Sequence, residues 1–89
     1  MKRNEIYFSG TVQGVGFRFN SKQVSRGYNV TGTVENLADG RVKMVCEGDL
    51  AEIQAFIAAV CQTTQGRVTQ TEILDKPFQG EFETFEIIG

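Results

Sequence analysis

Residues 5–36, EIYFSGTVQGVGFRFNSKQVSRGYNVTGTVEN, decide the fold, because their pattern predicts a strand, a glycine-rich loop, a helix and a second strand in succession. Apolar and small residues alternate with polar ones in the first segment, as in a strand with one buried face. That face carries Ile6, Phe8, Gly10 and Val12. The helix is expected over roughly residues 19–29. Its N-cap candidates and its stop signals are Asn20 or Ser21, and Gly27 and Asn29.

A hairpin and a second helix follow. VTGTVEN, residues 30–36, and RVKMVCEG, residues 41–48, predict two strands joined by a short turn that contains Asp39 and Gly40. DLAEIQAFIAAVCQ, residues 49–62, predicts an amphipathic helix with a capping-box-like pair at its start, Asp49 and Glu52. Its apolar face is formed by Leu50, Ile53, Ile57 and Val60.

The tail has two weaker strand patterns, RVTQTEIL at 67–74 and FETFEII at 82–88, which predict one or two edge strands. The order βαββαβ, with a possible short fifth strand, is that of a ferredoxin-like α+β sandwich in one domain, residues 1–89. We expect a mixed, mainly antiparallel sheet of four or five strands with both helices on one face. Right-handed crossovers place the third strand between the first two, antiparallel to both.

This topology has a consequence for function. The C-terminal ends of the first two strands open at the same edge of the sheet, two strand spacings or about 10 Å apart. Arg18 follows the first strand, and Asn36 ends the second. Their side chains are therefore expected to face one phosphate-sized ligand.

Composition excludes several classes of protein. The 89 residues include 11 acidic and 9 basic ones, and this net charge of -2 argues against a general nucleic-acid binder. Seven of the basic residues precede Glu47, so a small anion is expected to bind in the first half. The chain has no histidine, which excludes Ser-His-Asp and Cys-His catalysis and histidine-ligated metal. With two cysteines and no signal-peptide or membrane-spanning pattern, a cytoplasmic protein with reduced thiols is expected.

The loop QGVGFR, residues 13–18, leaves a strand and enters a helix, where successive backbone N–H groups can bind an anion. Gly14 and Gly16 let the backbone curl inward, and Arg18 adds a planar guanidinium that matches two phosphate oxygens. The Gly-Lys-Ser/Thr ending of a P-loop is missing. The spacing alone leaves a plain turn and an anion site equally open.

GTVQGVGFRF (10–19), followed by YNVTGTVENLADGRV (28–42), resembles the acylphosphatase family. That family's pattern runs G-x-V-Q-G-V-x-F-R, then G-x-V-x-N and D-G, and each part is present in order. The resemblance implies hydrolysis of a small acyl phosphate to a carboxylate and inorganic phosphate, by in-line attack of water on phosphorus, without metal or cofactor. By position, Arg18 matches the phosphate-binding arginine and Asn36 the asparagine that positions the water. The matched phosphate cradle consists of the backbone N–H groups of Gly14, Val15, Gly16, Phe17 and Arg18.

The implied site needs few functional groups. A carboxylate leaving group, with a conjugate acid of pKa roughly 4, departs at neutral pH without a general acid. Catalysis then rests on placing water in line and stabilising charge on the phosphoryl oxygens. The water's proton is expected to pass to a phosphate oxygen, which predicts a broad pH-rate plateau near neutrality. No membrane or nucleic-acid partner is implied, and a monomer is expected.

Three departures from the family pattern leave Arg18 and Asn36 untouched, so they bear on substrate preference, stability or rate more than on activity itself. They are Thr33 in place of an aromatic residue, RGYNV at 26–30 in place of a segment with LGL, and Asn20. Cys61 and Arg67 have the Cys-x5-Arg spacing of cysteine-dependent phosphatases, but Cys61 is expected at a helix end and not after a strand.

The sequence also bears on functions other than acyl phosphate hydrolysis. A ferredoxin-like module that binds a small anion or another protein without turnover stays open, because this architecture has many functions. An RNA-binding variant needs stacking aromatics on the central strands, and RVKMVCEG has none. The acidic residues of the tail are expected to form a solvated face and not a metal site: Glu72, Asp75, Glu81, Glu83 and Glu86.

Overall fold

The computed structural model of the chain describes residues 1–64 and 66–89. Its elements follow one another in the predicted order, with a fifth strand at the end. They are β1 (Lys2–Gly10), α1 (Phe17–Ser25), β2 (Val30–Asn36), β3 (Val42–Gly48), α2 (Leu50–Thr63), β4 (Val68–Lys76) and β5 (Phe85–Ile87).

The strands of the described residues form one sheet in the order β4-β1-β3-β2-β5. β3 lies between β1 and β2 and is antiparallel to both, as the crossover argument predicts. β4 pairs antiparallel with the outer side of β1, and the short β5 pairs parallel with β2. Both tail strands are therefore edge strands. β1 and β2 are parallel, so Gly10 and Asn36 end at the same edge of the sheet.

Both helices pack on one face of the sheet, and the core lies between these two layers. α1 contacts β2 and β5, α2 contacts β2 and β3, and the two helices contact each other. From Asn4 to Phe8 the buried residues of β1 alternate, with Ile6 and Phe8 fully buried against the helices. The other fully buried apolar side chains of the described residues are Val12, Val34, Val42, Met44, Cys46, Ile53, Phe56 and Val60. In the described part of the chain, no helix is long and apolar enough to cross a membrane.

The first helix begins and ends earlier than predicted, at Phe17–Ser25 instead of 19–29. Gly16 is its N-cap in the left-handed region (φ 78°), and the predicted cap by Asn20 or Ser21 is wrong. The backbone N–H of Asn20 already donates to the oxygen of Gly16 (2.9 Å), so Asn20 lies inside the helix. The helix start is set by the backbone of the glycine loop, which a rule based on polar side chains does not detect.

Asn20 has a different role from capping. Its amide Nδ2 donates to the hydroxyl of Thr63 (2.7 Å), which lies at the end of α2. The hydroxyl of Ser21 bonds back to the oxygen of Phe17 (2.9 Å), within the helix. Asn20, one of the departures from the family pattern, therefore joins the two helices.

The second helix is positioned as predicted, but its start is built differently. Asp49 is the N-cap, yet its side chain makes no capping hydrogen bond. Glu52 accepts instead from the backbone N–H of Asn29 (2.7 Å), so the prediction of a capping-box-like pair is wrong. Glu52 serves the connection after α1, where a free backbone donor needs an acceptor. Leu50 is 42% exposed and not part of the core.

A buried ion pair fixes the connection between β4 and β5. The Glu47 carboxylate, 2% exposed, accepts from Arg3 (3.0 Å) and from the backbone N–H groups of Gln79 (2.8 Å) and Gly80 (3.1 Å). Arg3 also donates to Glu81 (2.8 Å). Burial raises the pKa of Glu47, but these hydrogen bonds and the Arg3 charge outweigh it and hold the pKa below its ordinary value. The tail is thus tied to β1 and β3 before it reaches β2.

Candidate active site

The loop between β1 and α1 is fixed at both ends by buried apolar residues. Val12 is 1% exposed and Phe17 is 2% exposed, with the Phe17 ring 5.0 Å from that of Phe8. Between these anchors, Gly14 (φ 75°) and Gly16 (φ 78°) adopt left-handed conformations. Glycine adopts this conformation at little cost, whereas other residues lose about 1–2 kcal/mol.

The backbone N–H groups of this loop are free to bind a ligand. For residues 14–18, no described oxygen accepts a hydrogen bond from the backbone N–H. The first N–H groups of a helix have no partner within it, and they concentrate positive potential at its N-terminus. A curled loop followed by such a helix start is suited to bind a phosphate group.

The end of β1 passes close to the start of β4. Thr11 N–H donates to the main-chain oxygen of Arg67 (2.9 Å). A Cβ at Gly10 (φ 123°) would lie 2.1 Å from that same oxygen. At Gly14 and Gly16, by contrast, a Cβ would meet no atom within 4 Å. Gly10 therefore lets the backbone of β1 approach that of Arg67 closely, whereas Gly14 and Gly16 allow the left-handed backbone conformation of the loop.

Gln13 connects the loop to the hairpin that follows Asn36. Its Nε2 donates to the main-chain oxygens of Leu37 (2.8 Å) and Arg41 (2.9 Å). These two residues are themselves joined by the hydrogen bond from Leu37 N–H to the Arg41 oxygen (2.8 Å). The side chain thus sets the position of the loop relative to the end of β2. The sequence pattern included Gln13 but gave it no role.

Arg18 and Asn36 meet at one oxygen. The guanidinium Nη1 of Arg18 donates to the main-chain oxygen of Gly89, and the backbone N–H of Asn36 donates to the same atom (3.0 Å). Gly89 reaches this point because the tail runs alongside β2, with Ile88 N–H bonded to the Val34 oxygen (3.0 Å). The structure therefore brings the Arg18 side chain and the backbone of Asn36 to one acceptor, whereas the Asn36 side chain, which was expected to face the ligand, does not make this contact.

Asn36 also holds an unused acceptor. Its Oδ1 is buried and has no hydrogen-bond partner among the described residues. Buried polar atoms are nearly always paired with protein or ordered water, so an exception calls for an explanation. An acceptor with this free capacity can bind a water molecule through one of its hydrogens.

A cavity of about 180 Å³ opens between the loop, the start of α1 and β5. No acidic residue lines it within the described chain, and its only charged side chain is that of Arg18. The lining residues are Val12, Gly14, Gly16, Phe17, Arg18, Phe19 and Ile87. The cavity thus joins the glycines, the N-terminus of α1 and the guanidinium, which are the groups expected to bind an anion.

A second cavity, of about 370 Å³, lies between α2 and β4 and lacks these groups. Among the described residues of its lining, the only charged side chain is that of Asp75, whose carboxylate would repel a phosphate. No group of three or more Cys, Asp or Glu residues suited to a metal occurs in residues 1–64 and 66–89. The acidic tail residues are exposed, and Glu86 and Glu81 pair with cations. Glu72 and Asp75 on β4 lie at the opposite edge of the sheet from Glu86 on β5, so these described acidic residues are exposed but do not form one face.

The cysteines do not form a phosphatase loop. Cys46 is a buried core residue of β3, and burial followed by the Glu47 charge raises the pKa of its thiol to about 12. Cys61 lies within α2, 4.0 Å from the Thr71 hydroxyl, and no strand precedes it. The segment from Cys61 to Arg67 includes Gln65, which lies outside the described residues. The helical position of Cys61 agrees with the prediction that this segment is not the loop of a cysteine-dependent phosphatase.

Comparisons with known proteins agree with the geometry. The family model described as Acylphosphatase matches residues 4–87. An acylphosphatase of Syntrophobacter fumaroxidans is 38% identical over 88 residues, 97% of this chain and 90% of that protein. The crystal structure of acylphosphatase from Bacillus subtilis matches with a TM-score of 0.91 and 30% identity, covering 100% of each chain. HypF of T. kodakarensis matches at a TM-score of 0.85 and 32% identity, over 100% of this chain and 12% of that one.

Proposed function

Because the chain belongs to the acylphosphatase family, we propose that it hydrolyses acyl phosphates to a carboxylate and inorganic phosphate without a metal. The observation that carries the role of Arg18, and the location of Asn36 beside it, is the convergence of the Arg18 guanidinium and the Asn36 backbone N–H on one oxygen. In the proposed complex, an oxygen of the substrate takes the place of the Gly89 oxygen. A non-catalytic module finds no support in these comparisons.

The phosphoryl group binds to the free N–H groups of residues 14–18 and to Arg18. These donors are held by the fold, so little reorganisation is needed when charge develops on the phosphoryl oxygens in the transition state. A guanidinium presents two parallel N–H donors, which a lysine ammonium cannot reproduce. Arg18 therefore acts as a catalytic residue that stabilises charge.

Asn36 positions the water. In the proposed complex its unpaired Oδ1, which is buried in the free chain, becomes accessible and accepts one hydrogen of the water, so that the lone pair of the water oxygen points to phosphorus. A P–O bond then forms as the bond between phosphorus and the acyl oxygen breaks, and the carboxylate leaves with the electron pair. The water's proton passes to a phosphoryl oxygen, since no Asp or Glu lines the cavity within the described chain. This route predicts a broad pH-rate plateau near neutrality.

The test is hydrolysis of acetyl phosphate and benzoyl phosphate in the presence of EDTA. Arg18→Ala and Asn36→Ala are each expected to lower kcat at least about a hundredfold, the scale of losing a charge-stabilising or orienting group. Arg26→Ala is the matched control, because Arg26 is an exposed arginine at the end of the same helix, and about native activity is expected.

Three results would contradict the proposal. Native turnover by a folded Arg18→Ala variant would remove the assigned role of Arg18. Failure of the folded native chain to hydrolyse either substrate would instead favour a binding module. Activity abolished by EDTA and restored by a divalent cation would overturn the metal-free mechanism.

We also propose that the enzyme is a cytoplasmic, single-domain monomer. The free thiols of Cys46 and Cys61 fit a reducing compartment. Light scattering during gel filtration tests the monomer, and cell fractionation tests the location. A dimer at assay concentration, or recovery outside the cytoplasmic fraction, would refute the corresponding part.

A further inference from the structure

The cavity beside Arg18 has an apolar wall that the proposed mechanism does not use. Phe19 is 63% exposed and Ile87 is 38% exposed, yet both line the same cavity as Arg18. Phe19 comes from the first turn of α1, and Ile87 from β5 on the opposite side of the cleft. Together they give the cleft beside the anion site an apolar surface that an apolar ligand group would cover.

The polar side chains around this wall already have partners. The next cation along α1, Lys22, is paired with Glu86 (2.9 Å), and Asn20 donates to Thr63. Glu86 adjoins Ile87, and the hydroxyl of Thr84 followed by the Lys22 ammonium hold its pKa below the ordinary value. Glu86 is therefore ionised at neutral pH. Among the described residues that line the cavity, Arg18 is the only cation, so an acyl group with its own carboxylate would find no second cation in the lining.

We propose that Phe19 and Ile87 bind the acyl group, so that the enzyme selects acyl phosphates whose acyl group is apolar and uncharged. This inference rests on the proposed function. In-line attack by a water at Asn36 directs the leaving group to the opposite side of phosphorus. Asn36 does not line the cavity, whereas Phe19 and Ile87 do, which fits an acyl group bound there.

The size of the effect follows from the exposure of the wall. A methylene-sized difference in an apolar pocket changes kcat/KM by about 10- to 200-fold. Phe19 and Ile87 form an open wall and not a closed pocket, so the lower end of this range applies. We expect the native enzyme to prefer benzoyl over acetyl phosphate, and butanoyl over succinyl phosphate, by at least about tenfold in kcat/KM.

The decisive measurement is the ratio of kcat/KM for benzoyl phosphate to that for acetyl phosphate, compared between each variant and the native enzyme. This comparison cancels the intrinsic reactivities of the two substrates. Phe19→Ser is expected to lower the ratio about tenfold, mainly through the KM for benzoyl phosphate. Phe78→Ser is the matched control, because Phe78 is 46% exposed and does not line the cavity.

A second pair guards against misfolding of one variant. Ile87→Thr is expected to lower the ratio, and Ile88→Thr, at a neighbouring residue that is 59% exposed and outside the cavity lining, to change it by less than about twofold. An unchanged ratio in both Phe19→Ser and Ile87→Thr, or a native enzyme that prefers succinyl phosphate, would overturn the inference. Failure of the native enzyme on all four substrates would instead contradict the proposed function.

Discussion

Replacing Gln13 by methionine removes the side-chain connection between the loop and the hairpin while keeping a side chain of similar size. It deletes the hydrogen bonds to the oxygens of Leu37 (2.8 Å) and Arg41 (2.9 Å). Neither oxygen loses its only partner, because the Leu37 oxygen still accepts from Gly40 N–H (3.2 Å) and the Arg41 oxygen still accepts from Leu37 N–H. The expected loss is therefore that of two ordinary hydrogen bonds, about 1–3 kcal/mol in the free energy of unfolding.

The effect on catalysis is expected to be larger than this stability loss suggests. Gln13 holds the loop against the strand end that carries Asn36, and a displacement of about 1 Å between catalytic groups can cost about a hundredfold in rate. We expect kcat of Gln13→Met to fall at least about tenfold for every acyl phosphate, with KM changed less. Urea unfolding and steady-state kinetics measure the two quantities on the same preparation.

Asn20→Ala is the control for a lost hydrogen bond outside the site. It breaks the bond to Thr63 (2.7 Å), which joins α1 to α2 and not to the hairpin. A stability loss of about 1 kcal/mol with kcat within about twofold of native is expected. Equal losses of kcat in Gln13→Met and Asn20→Ala, or native kcat in a destabilised Gln13→Met, would refute the positioning role.

Two further predictions concern the frame around the site. Glu47→Gln is expected to lower the free energy of unfolding at pH 7 by about 3 kcal/mol, the low end for a broken buried pair, because Arg3 keeps Glu81. Because the folded pKa of Glu47 is depressed, the stabilisation by Glu47 is present above the ordinary glutamate pKa and is lost as the pH falls through the folded value. In urea unfolding, the difference in stability between the native protein and the variant should therefore shrink in acid. A pH-independent difference would contradict the assignment. Gly16→Ala is expected to cost about 1–2 kcal/mol, and Gly10→Ala more, because only the latter adds a clash with backbone. Equal costs in thermal unfolding would refute this distinction.

The topology was predictable because hydrophobic period and turn residues are local signals. The alternation through Ile6 and Phe8, the Asp39-Gly40 turn and the spacing of Ile53, Ile57 and Val60 each predict one element, and the right-handed crossover rule orders the strands. The same topology brought the region of Arg18 and the end of β2 to one edge of the sheet. Thus the two candidate residues could be identified before any coordinates.

What the sequence did not predict depends on backbone atoms and on side chains far apart in the chain. The start of α1 is set by the left-handed Gly16, so Asn20 is free to bond with Thr63. No periodic pattern indicates that a main-chain oxygen of the tail, that of Gly89, meets Arg18, or that Glu47 is buried beneath the connection to β5. Glu47 lies at an alternate position of a strand, where a charge is ordinarily expected to be solvated.

The site is assembled from two parts that are held by different contacts. The loop is held by buried Val12 and Phe17 and by Gln13, whose hydrogen bonds go to the hairpin and not to the tail. The wall residue Ile87 belongs to the tail, whose preceding connection is tied down by Glu47. Loss of the Glu47 contacts therefore acts first on the binding of the acyl group, whereas loss of the Gln13 contacts acts on the turnover of every substrate. Phosphoryl transfer and acyl-group selection thus depend on separate structural supports within one small sheet.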